Sequence, residues 1–255
     1  MKNILLSNDD GIHSKGIWAL RDELQDHFQV FIVAPDRERS AAGHSISLHD
    51  PIRLKVIEAD SVFSVDGTPV DAVHVAILGV VRAPIDFVVT GINYGLNLGA
   101  DVFYSGTVSA AFQAASFDIP AMAVSIDLAG GELHYKTAAR FARLIIDGIE
   151  RQGGLERNLI LNVNVPNIPV EAIKGIEITK LGQRHYKDHL IEREDPKKNK
   201  YYWIEGLHTH DVLEEGTDVK AIHDHKISVT PLRLDITAVD YIEKLKQWKF
   251  HEFSQ

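Results

Sequence analysis

The chain has 255 residues, enough for one large α/β domain or one domain with an appended lobe, and its 45% apolar content is that of an ordinary globular core and excludes disordered and fibrous classes. The formal charge of −9, without a cluster of Lys and Arg, argues against nucleic acid as the main partner, because phosphate chains are bound largely by cationic side chains. The lack of cysteine excludes disulfides, zinc-thiolate sites, iron–sulfur clusters and cysteine nucleophiles. The sequence has neither a signal-peptide pattern nor an apolar run of about 18 residues, so we expect a soluble, cytoplasmic protein without a membrane partner.

The first predicted strand, Ile4–Leu6, leads into Asp9, Asp10 and Gly11. A buried parallel strand has its carboxyl end at the edge of the sheet where open α/β folds bind ligands. Two adjacent carboxylates repel each other unless a cation or a proton neutralises one of them, and oxygen ligands suit Mg²⁺, Mn²⁺ or Ca²⁺. The alternative interpretation of an Asp-Asp-Gly segment is a surface turn.

The following segments alternate between helical and strand patterns, which predicts a Rossmann-like, doubly wound and mostly parallel sheet. The pattern predicts a helix at Lys15–His27, strands at Gln29–Ala34, Ile52–Ile57, Val62–Val65, Ile85–Thr90 and Ala121–Ser125, and helices starting at Thr68, near Ser105 and near Glu132. We expect a single domain over residues 1–255. Residues 1–130 would form the core that carries the site, and 131–255 would supply the remaining core and a C-terminal extension.

Several predicted strands and one helix place polar groups at one edge of this sheet. Ser40 lies in the loop Pro35–Ser45 and Asn93 in the glycine-rich segment Gly91–Asp101, each directly after a predicted strand. Hydroxyls and free backbone N–H groups at the helix start Ser105-Gly106-Thr107 attract anions, and the helix dipole adds to this attraction. Carboxylate, hydroxyl and amide oxygens would hold a hard cation, with a phosphoryl group against it. These features predict phosphomonoester hydrolysis.

Five motifs resemble, in their order and spacing, the SurE family of survival-protein 5′-nucleotidases. They are Asn8–Ile12, Ala34–Ser45, Gly67–Asp71, Gly91–Asn97 and Ser105–Val108. The resemblance covers the first 130 residues closely. It is looser beyond them, where Arg184, Tyr201–Trp203 and Thr230–Leu232 also look like the family's C-terminal part.

The resemblance implies a phosphatase that depends on one divalent cation per subunit, Mg²⁺ or Mn²⁺. Its substrates would be nucleoside 5′-monophosphates and often 3′-monophosphates or short polyphosphates. The family's metal ligands fall on Asp9, Asp10, Ser40 and Asn93, and its phosphate pocket falls on Asn97, Ser105, Gly106 and Thr107. Family members are typically dimers or tetramers that exchange C-terminal segments, so the resemblance implies a homodimer or homotetramer.

Asp9 is the candidate catalytic residue. As a carboxylate at the strand end it could orient or deprotonate the attacking water, or it could itself attack and form an aspartyl-phosphate. The sequence leaves both mechanisms open. His44 is a loop histidine beside a glycine, and we expect a structural role for it.

The C-terminal part is predicted to contain additional strands and an arm. The strands are Leu159–Val165, Ile176–Thr179, Tyr201–Ile204 and Ile227–Leu232, with a charged excursion at Arg184–Lys200 and a closing helix marked by Val239, Ile242 and Leu245. We interpret Tyr201–Ile204 as an exposed or inter-subunit strand and the excursion as an oligomerisation arm. The late histidines His208, His210, His223 and His225 could form a second metal site, but their spacing matches no helical pair of ligands, so we expect them to be exposed.

We considered two alternative functions for this sequence. A nucleotide-binding regulatory protein would keep the same pocket without turnover. A dinucleotide-dependent oxidoreductase is disfavoured because acids, and not a Gly-x-Gly-x-x-Gly segment, follow the first strand.

Overall fold

The computed structural model describes residues 1–248, without the side chains of 207–209. Eleven strands lie in this part of the chain: β1 (Asn3–Ser7), β2 (Gln29–Pro35), β3 (Leu54–Glu58), β4 (Val62–Val65), β5 (Phe87–Tyr94), β6 (Ala121–Ile126), β7 (Leu159–Val165), β8 (Ile176–Ile178), β9 (Gln183–Glu194), β10 (Lys200–Val212) and β11 (Ile227–Arg233). The α-helices are α1 (Lys15–Leu24), α2 (Pro69–Val75), α3 (Gly106–Ala115), α4 (Tyr135–Arg151), α5 (Asp218–His223) and α6 (Val239–Lys246).

Nine of these strands form one sheet in the order β3-β4-β2-β1-β5-β6-β7-β11-β8. The neighbours from β4 through β7 are all parallel, while β3 pairs antiparallel with β4, and β11 with β7. The predicted doubly wound, mostly parallel α/β fold with additional C-terminal strands is therefore confirmed.

Helices cover both faces of the sheet because neighbouring residues of each central strand point to opposite sides. On β1, Leu6 packs against α1 and α4, whereas Leu5 packs against α2 and α3. Both leucines are fully buried, and each such side chain contributes roughly 1.5–3 kcal/mol to folding. The helices thus fix the sheet from both sides and leave the carboxyl ends of its strands to form a rim.

The start of α2 follows the sequence prediction. Thr68 is the N-cap, and its hydroxyl accepts a hydrogen bond from the Asp71 N–H (3.0 Å), while the Asp71 carboxylate accepts one from the Thr68 N–H (2.8 Å). Pro69 occupies the first helical position, where a missing N–H costs no hydrogen bond. Ser105 caps α3 in the same manner by accepting from the Val108 N–H (3.1 Å).

Some predicted boundaries are wrong. The predicted strand Ile85–Thr90 corresponds to β5, which does not end at Thr90 but continues to Tyr94, because Ile92 is buried and Asn93 pairs with Ser125 after an irregularity in the register. Helix α1 ends at Leu24 and not at His27, and α4 begins at Tyr135 and not at Glu132.

The predicted charged excursion is the first strand of a long antiparallel hairpin made of β9 and β10, which form a separate two-stranded sheet. The predicted strand Tyr201–Ile204 is a part of β10, and Trp203 and Ile204 are 63% and 80% exposed. Helix α6 forms as predicted, but its apolar residue Val239 is 65% exposed and closes no core among the described residues. Over residues 1–248, no helix has the length and apolar character needed to cross a membrane.

Candidate functional site

The turn after β1 holds Asp9 and Asp10 at the carboxyl end of that strand. Gly11 has φ +90°, and a Cβ there would lie 2.9 Å from the backbone carbonyl carbon of Arg37, so only glycine fits without a shift. The side-chain amide of Asn8 donates to the Gly11 carbonyl oxygen (3.0 Å) and closes the turn. The acidic pair therefore lies on a turn with a fixed conformation.

Asp9 is 4% exposed, and its side chain points toward the start of α3. Its Oδ1 accepts a hydrogen bond from the Thr107 hydroxyl, and its backbone carbonyl accepts one from the Arg39 N–H (2.7 Å). Burial raises the pKa of Asp9, while the hydrogen bond from Thr107 opposes that rise. Asp9 thus joins β1, the loop after β2 and helix α3.

Asp10 lies beside Asp9 and is only partly buried. Its Oδ2 accepts a hydrogen bond from the Tyr94 N–H (3.1 Å) at the end of β5. Burial, followed by the charge of Asp9, raises the pKa of Asp10 to about 6. The negative charge of Glu38 raises the pKa values of both aspartates further. A positive charge bound between these carboxylates would relieve their mutual repulsion.

Ser40 and Asn93 present oxygen atoms to the same region. The Ser40 hydroxyl donates to Glu38 Oε1 (2.7 Å), which leaves its lone pairs for another partner. The Asn93 amide nitrogen donates to the Gly95 carbonyl oxygen (2.7 Å), so its amide oxygen is the atom left to act as a ligand. With the two aspartates, these side chains offer only oxygen donors.

A cavity of ≈ 650 Å³ opens beside this group. Five of the eight predicted site residues line it, namely Asp9, Ser40, Asn93, Asn97 and Ser105. Asp10, Gly106 and Thr107 are not part of its lining. Gly106 packs directly against Asp9, because a Cβ at this glycine would lie 3.0 Å from both Cβ and Oδ2 of Asp9.

The opposite wall of the cavity comes from the hairpin and from the 3-10 helix Gly99–Phe103. A guanidinium nitrogen of Arg184 lies 2.7 Å from Oδ2 of Asp101, and the Tyr186 hydroxyl donates to the same oxygen (2.9 Å). Burial, followed by this hydrogen bond, raises the pKa of Tyr186 to about 12, so the phenol is neutral. Tyr104 and Asp188 complete this wall.

The sequence reasoning did not assign Asp101, Tyr186 or Asp188 to the site. The charged segment 183–194 shows no alternation of apolar and polar residues, so no local signal predicts either its strand or the place where that strand packs. The ion pair between Arg184 and Asp101 joins residues 83 positions apart.

The histidines do not gather into a second centre within the described part of the chain. His210 stacks on His185 with ring centroids 4.5 Å apart, and His223 and His225 are exposed as predicted. The side chain of His208 lies outside the described residues. No group of three or more His, Cys, Asp or Glu side chains with metal-binding geometry occurs among the described residues. His44 lies 3.0 Å from Gln113 and lines a different cavity.

Known proteins resemble this chain over most of its length. The family model described as Survival protein SurE matches residues 4–188. A protein of Syntrophomonas wolfei subsp. wolfei named 5′-nucleotidase SurE is 43% identical over 254 residues, which are 98% of this chain and 96% of that protein. A protein of the same name from Geobacter sulfurreducens is 46% identical over 247 residues, which are 96% and 93% of the two chains.

The fold has a solved counterpart in the crystal structure of the SurE protein from Aquifex aeolicus. That structure matches with a TM-score of 0.84 and 38% sequence identity, over 96% of this chain and 98% of that chain. The match includes the C-terminal part, where the resemblance read from the sequence was looser. The chain therefore belongs to the SurE family.

Proposed function

We propose that this protein is a divalent-metal-dependent phosphomonoesterase that hydrolyses nucleoside 5′-monophosphates to a nucleoside and phosphate. The observation that carries the proposal is the adjacent pair Asp9 and Asp10, two carboxylates with raised pKa values, of which Asp9 lies between the N-terminus of α3 and a cavity of ≈ 650 Å³ that it lines. The relatives named 5′-nucleotidase SurE, at 43–46% identity over nearly the whole chain, support the substrate class.

The donor set fits one Mg²⁺ or Mn²⁺ per subunit. Asp9, Asp10, Ser40 and Asn93 offer carboxylate, hydroxyl and amide oxygens, which are the ligands that hard cations prefer. Burial is the main cause of the raised pKa values of the two aspartates, and the neighbouring carboxylates raise them further; a cation would offset this negative charge.

The start of α3 is the proposed phosphate position. This helix of ten residues directs its free N–H groups and the positive end of its dipole toward the region of Asp9. Asn97 and Ser105 line the cavity there. Gly106 and Thr107 would bind the phosphate through their backbone N–H groups. The Thr107 hydroxyl donates to the Asp9 carboxylate and so orients it.

Asp9 is the proposed catalytic residue. When bound, the cation supplies positive charge that polarises the phosphoryl oxygens and makes a nearby water easier to deprotonate. Asp9 then accepts the proton of the attacking water. The water oxygen bonds to phosphorus as the bond between phosphorus and the 5′ oxygen breaks, and the departing 5′ oxygen of the nucleoside takes up a proton. Direct attack by Asp9, with an aspartyl-phosphate intermediate, is the competing route.

The remainder of the cavity would hold the nucleoside. Tyr104 is 71% exposed and supplies an aromatic face for a base, while Arg184, Tyr186 and Asp188 supply charged and hydrogen-bonding groups. The same phosphate position would also accept 3′-monophosphates and short polyphosphates. These two activities belong to the proposal as additional substrates.

We also propose a homodimer or homotetramer that assembles through the hairpin and works in the cytoplasm. An isolated two-stranded hairpin is only marginally stable in water, and this one exposes Leu190, Trp203 and Ile204. A second copy of the chain would cover these side chains.

The decisive experiment measures phosphate release from nucleoside 5′- and 3′-monophosphates and tripolyphosphate, first with EDTA and then with Mn²⁺ or Mg²⁺ restored. We expect activity that EDTA removes, that metal restores and that Asp9→Asn abolishes. Asp36→Asn is the matched control, because Asp36 lies in a neighbouring loop and pairs with Arg37 at 2.7 Å outside the cavity lining. Nucleotide binding without phosphate release would instead favour a regulatory protein, and activity indifferent to EDTA would overturn the metal site.

A further inference from the structure

The segment between β5 and the 3-10 helix crosses the carboxyl ends of β6 and β7. The Gly95 N–H donates to the carbonyl oxygen of Ile126 at the end of β6 (3.1 Å). The Gly99 N–H donates to the Asp218 carboxylate (2.9 Å). Asn97, midway between these two anchors, lines the candidate substrate cavity.

Asn97 makes four hydrogen bonds with three buried side chains, two as donor and two as acceptor. Its N–H donates to Oδ1 of Asn164 (2.8 Å), and its carbonyl oxygen accepts from the amide nitrogens of Asn162 (2.8 Å) and Asn164 (3.1 Å). Its own side-chain nitrogen donates to the Ser125 hydroxyl oxygen (2.8 Å). Side chains of β6 and β7 therefore fix both the backbone and the side chain of Asn97.

These three residues interrupt an apolar face of the sheet. Ser125 pairs in register with Asn164, and both lie on the face where Ala123 and Ile160 pack in the apolar cluster with α2 and α3. Ser125, Asn162 and Asn164 are all 0% exposed. Apolar side chains at these positions would simply extend that cluster.

Stability alone does not account for the polar side chains. Oδ1 of Asn162 is buried without a hydrogen-bond partner among the described residues, and an unpaired buried acceptor destabilises a fold by roughly 1–3 kcal/mol. What the three side chains share is their contact with Asn97. We therefore explain these polar side chains by their effect on Asn97, whose position in the cavity wall they fix.

We propose that Ser125, Asn162 and Asn164 are positioning residues that hold Asn97 in its substrate-binding orientation and thereby set the affinity for the nucleotide. This inference rests on the proposed function, since it assigns a role in the same cavity. None of the three residues is a proposed metal ligand, so their effect on substrate affinity is separable from metal binding.

The test compares Ser125→Ala and Asn164→Asp with the wild-type protein. Ser125→Ala removes only the partner of the Asn97 side chain. Asn164→Asp keeps the size and the acceptor for the Asn97 N–H, but it replaces the donor to the Asn97 carbonyl with a carboxylate oxygen. Ser228→Ala is the matched control, because Ser228 is also 0% exposed on a neighbouring strand, and its hydroxyl lies 2.8 Å from that of Thr179, which does not line the cavity.

We expect KM for adenosine 5′-monophosphate to rise about tenfold in Ser125→Ala and about thirtyfold or more in Asn164→Asp, with kcat changed less than about threefold. Mn²⁺ affinity, measured by calorimetry without substrate, should stay within about twofold of wild type. Ser228→Ala should leave both constants unchanged. Circular dichroism establishes that each variant is folded, and Ser125→Ala, the milder change, keeps the test valid if Asn164→Asp does not fold.

The proposal is overturned if folded Ser125→Ala keeps the wild-type KM, if Ser228→Ala raises KM equally, or if Mn²⁺ affinity falls in step with substrate affinity. Should the wild-type protein release no phosphate, the proposed hydrolysis fails by itself. The dissociation constant of adenosine 5′-monophosphate in the presence of Mn²⁺ then replaces KM, with the same expected rise. Failure of the catalytic proposal and failure of the positioning proposal are thereby distinguished.

Discussion

The Thr107 hydroxyl donates a hydrogen bond to the Asp9 carboxylate, and this contact joins the first strand of the sheet to the first turn of α3. Thr107 is itself fixed, because it is 0% exposed and its carbonyl oxygen accepts a hydrogen bond from the Thr90 hydroxyl (2.7 Å). The hydrogen bond favours the ionised form of Asp9 against the effect of burial. Thr107 therefore orients the Asp9 carboxylate and opposes the effect of burial on its pKa, and we expect this role to matter for activity.

Thr107→Val should raise the pKa of Asp9 further, because it removes this hydroxyl while keeping a β-branched side chain. A higher pKa means that a higher pH is needed to ionise Asp9, so the acidic limb of the pH–activity profile should move to higher pH. We expect activity near neutral pH to fall about 10- to 100-fold. Thr107→Ser retains the hydroxyl and should keep the wild-type profile; identical profiles for the valine and serine variants would contradict this role.

Asp10 should make the metal-free protein less stable as the pH rises. Burial, followed by the charge of Asp9, raises its pKa from 3.8 to about 6, so between these values the folded chain binds a proton more tightly than the unfolded chain. The stabilisation from this group is complete below the lower value and is lost as the pH passes the upper one.

Thermal denaturation in EDTA from about pH 4 to about pH 8 measures this effect. Asp10→Asn should lack this part of the decline and should melt at a higher temperature than wild type near neutral pH. Adding Mn²⁺ should stabilise the wild type more than the variant, because Asp10 is a proposed ligand. Parallel melting curves for the two proteins in EDTA at every pH would show that the Asp10 carboxylate titrates normally.

The edge on which the site lies could be predicted from the topology alone. Asp9, Ser40 and Asn93 follow or end β1, β2 and β5, and parallel strands place their carboxyl ends at one edge of a sheet. Ser105 could be placed there as well, because its hydroxyl and the following Gly-Thr pair mark a helix start. Local pattern and strand direction were sufficient for these residues.

The opposite wall of the cavity could not be predicted in this manner. Arg184 lies in a segment whose composition is that of a solvent-exposed run of charged residues. Its contact with Asp101 exists only because the hairpin folds back over the edge of the sheet. The contact of Asn162 and Asn164 with Asn97 was equally hidden, since a strand pattern gives alternation but not which side chains meet a distant segment. Contacts between distant segments decide these features, and no short stretch of sequence encodes them.

Tyr104 should determine affinity for the base and not for the phosphate. It is 71% exposed and lines the cavity, whereas its neighbour Phe103 is 66% exposed and lines a different one. Tyr104→Ala should raise KM for nucleoside monophosphates about 5- to 20-fold through lost stacking, with little change for glycerol phosphate. Phe103→Ala is the matched control and should change neither value; an equal loss with both substrates in Tyr104→Ala would place the tyrosine at the phosphate instead.

Gly106→Ala should impair the site while leaving the fold intact. A Cβ at Gly106 would lie 3.0 Å from Oδ2 of Asp9 and 3.2 Å from Cγ of Pro69, and α3 starts at this residue, so alanine suits the helix but displaces the carboxylate. These contacts require a shift of a few tenths of an ångström, and misplacement by about 1 Å can reduce catalysis about 100-fold, so we expect a roughly three- to tenfold loss in kcat/KM, together with weaker Mn²⁺ binding.

The matched control is Gly148→Ala, since Gly148 lies within α4 and its nearest neighbour is the flexible end of Arg151 at 3.9 Å. That variant should be more stable by up to about 1 kcal/mol, with unchanged activity, because alanine is the better helix former. Circular dichroism and thermal melting separate the two effects. A Gly106→Ala protein with full activity and unchanged Mn²⁺ binding would contradict the expectation that a Cβ at this position displaces the Asp9 carboxylate.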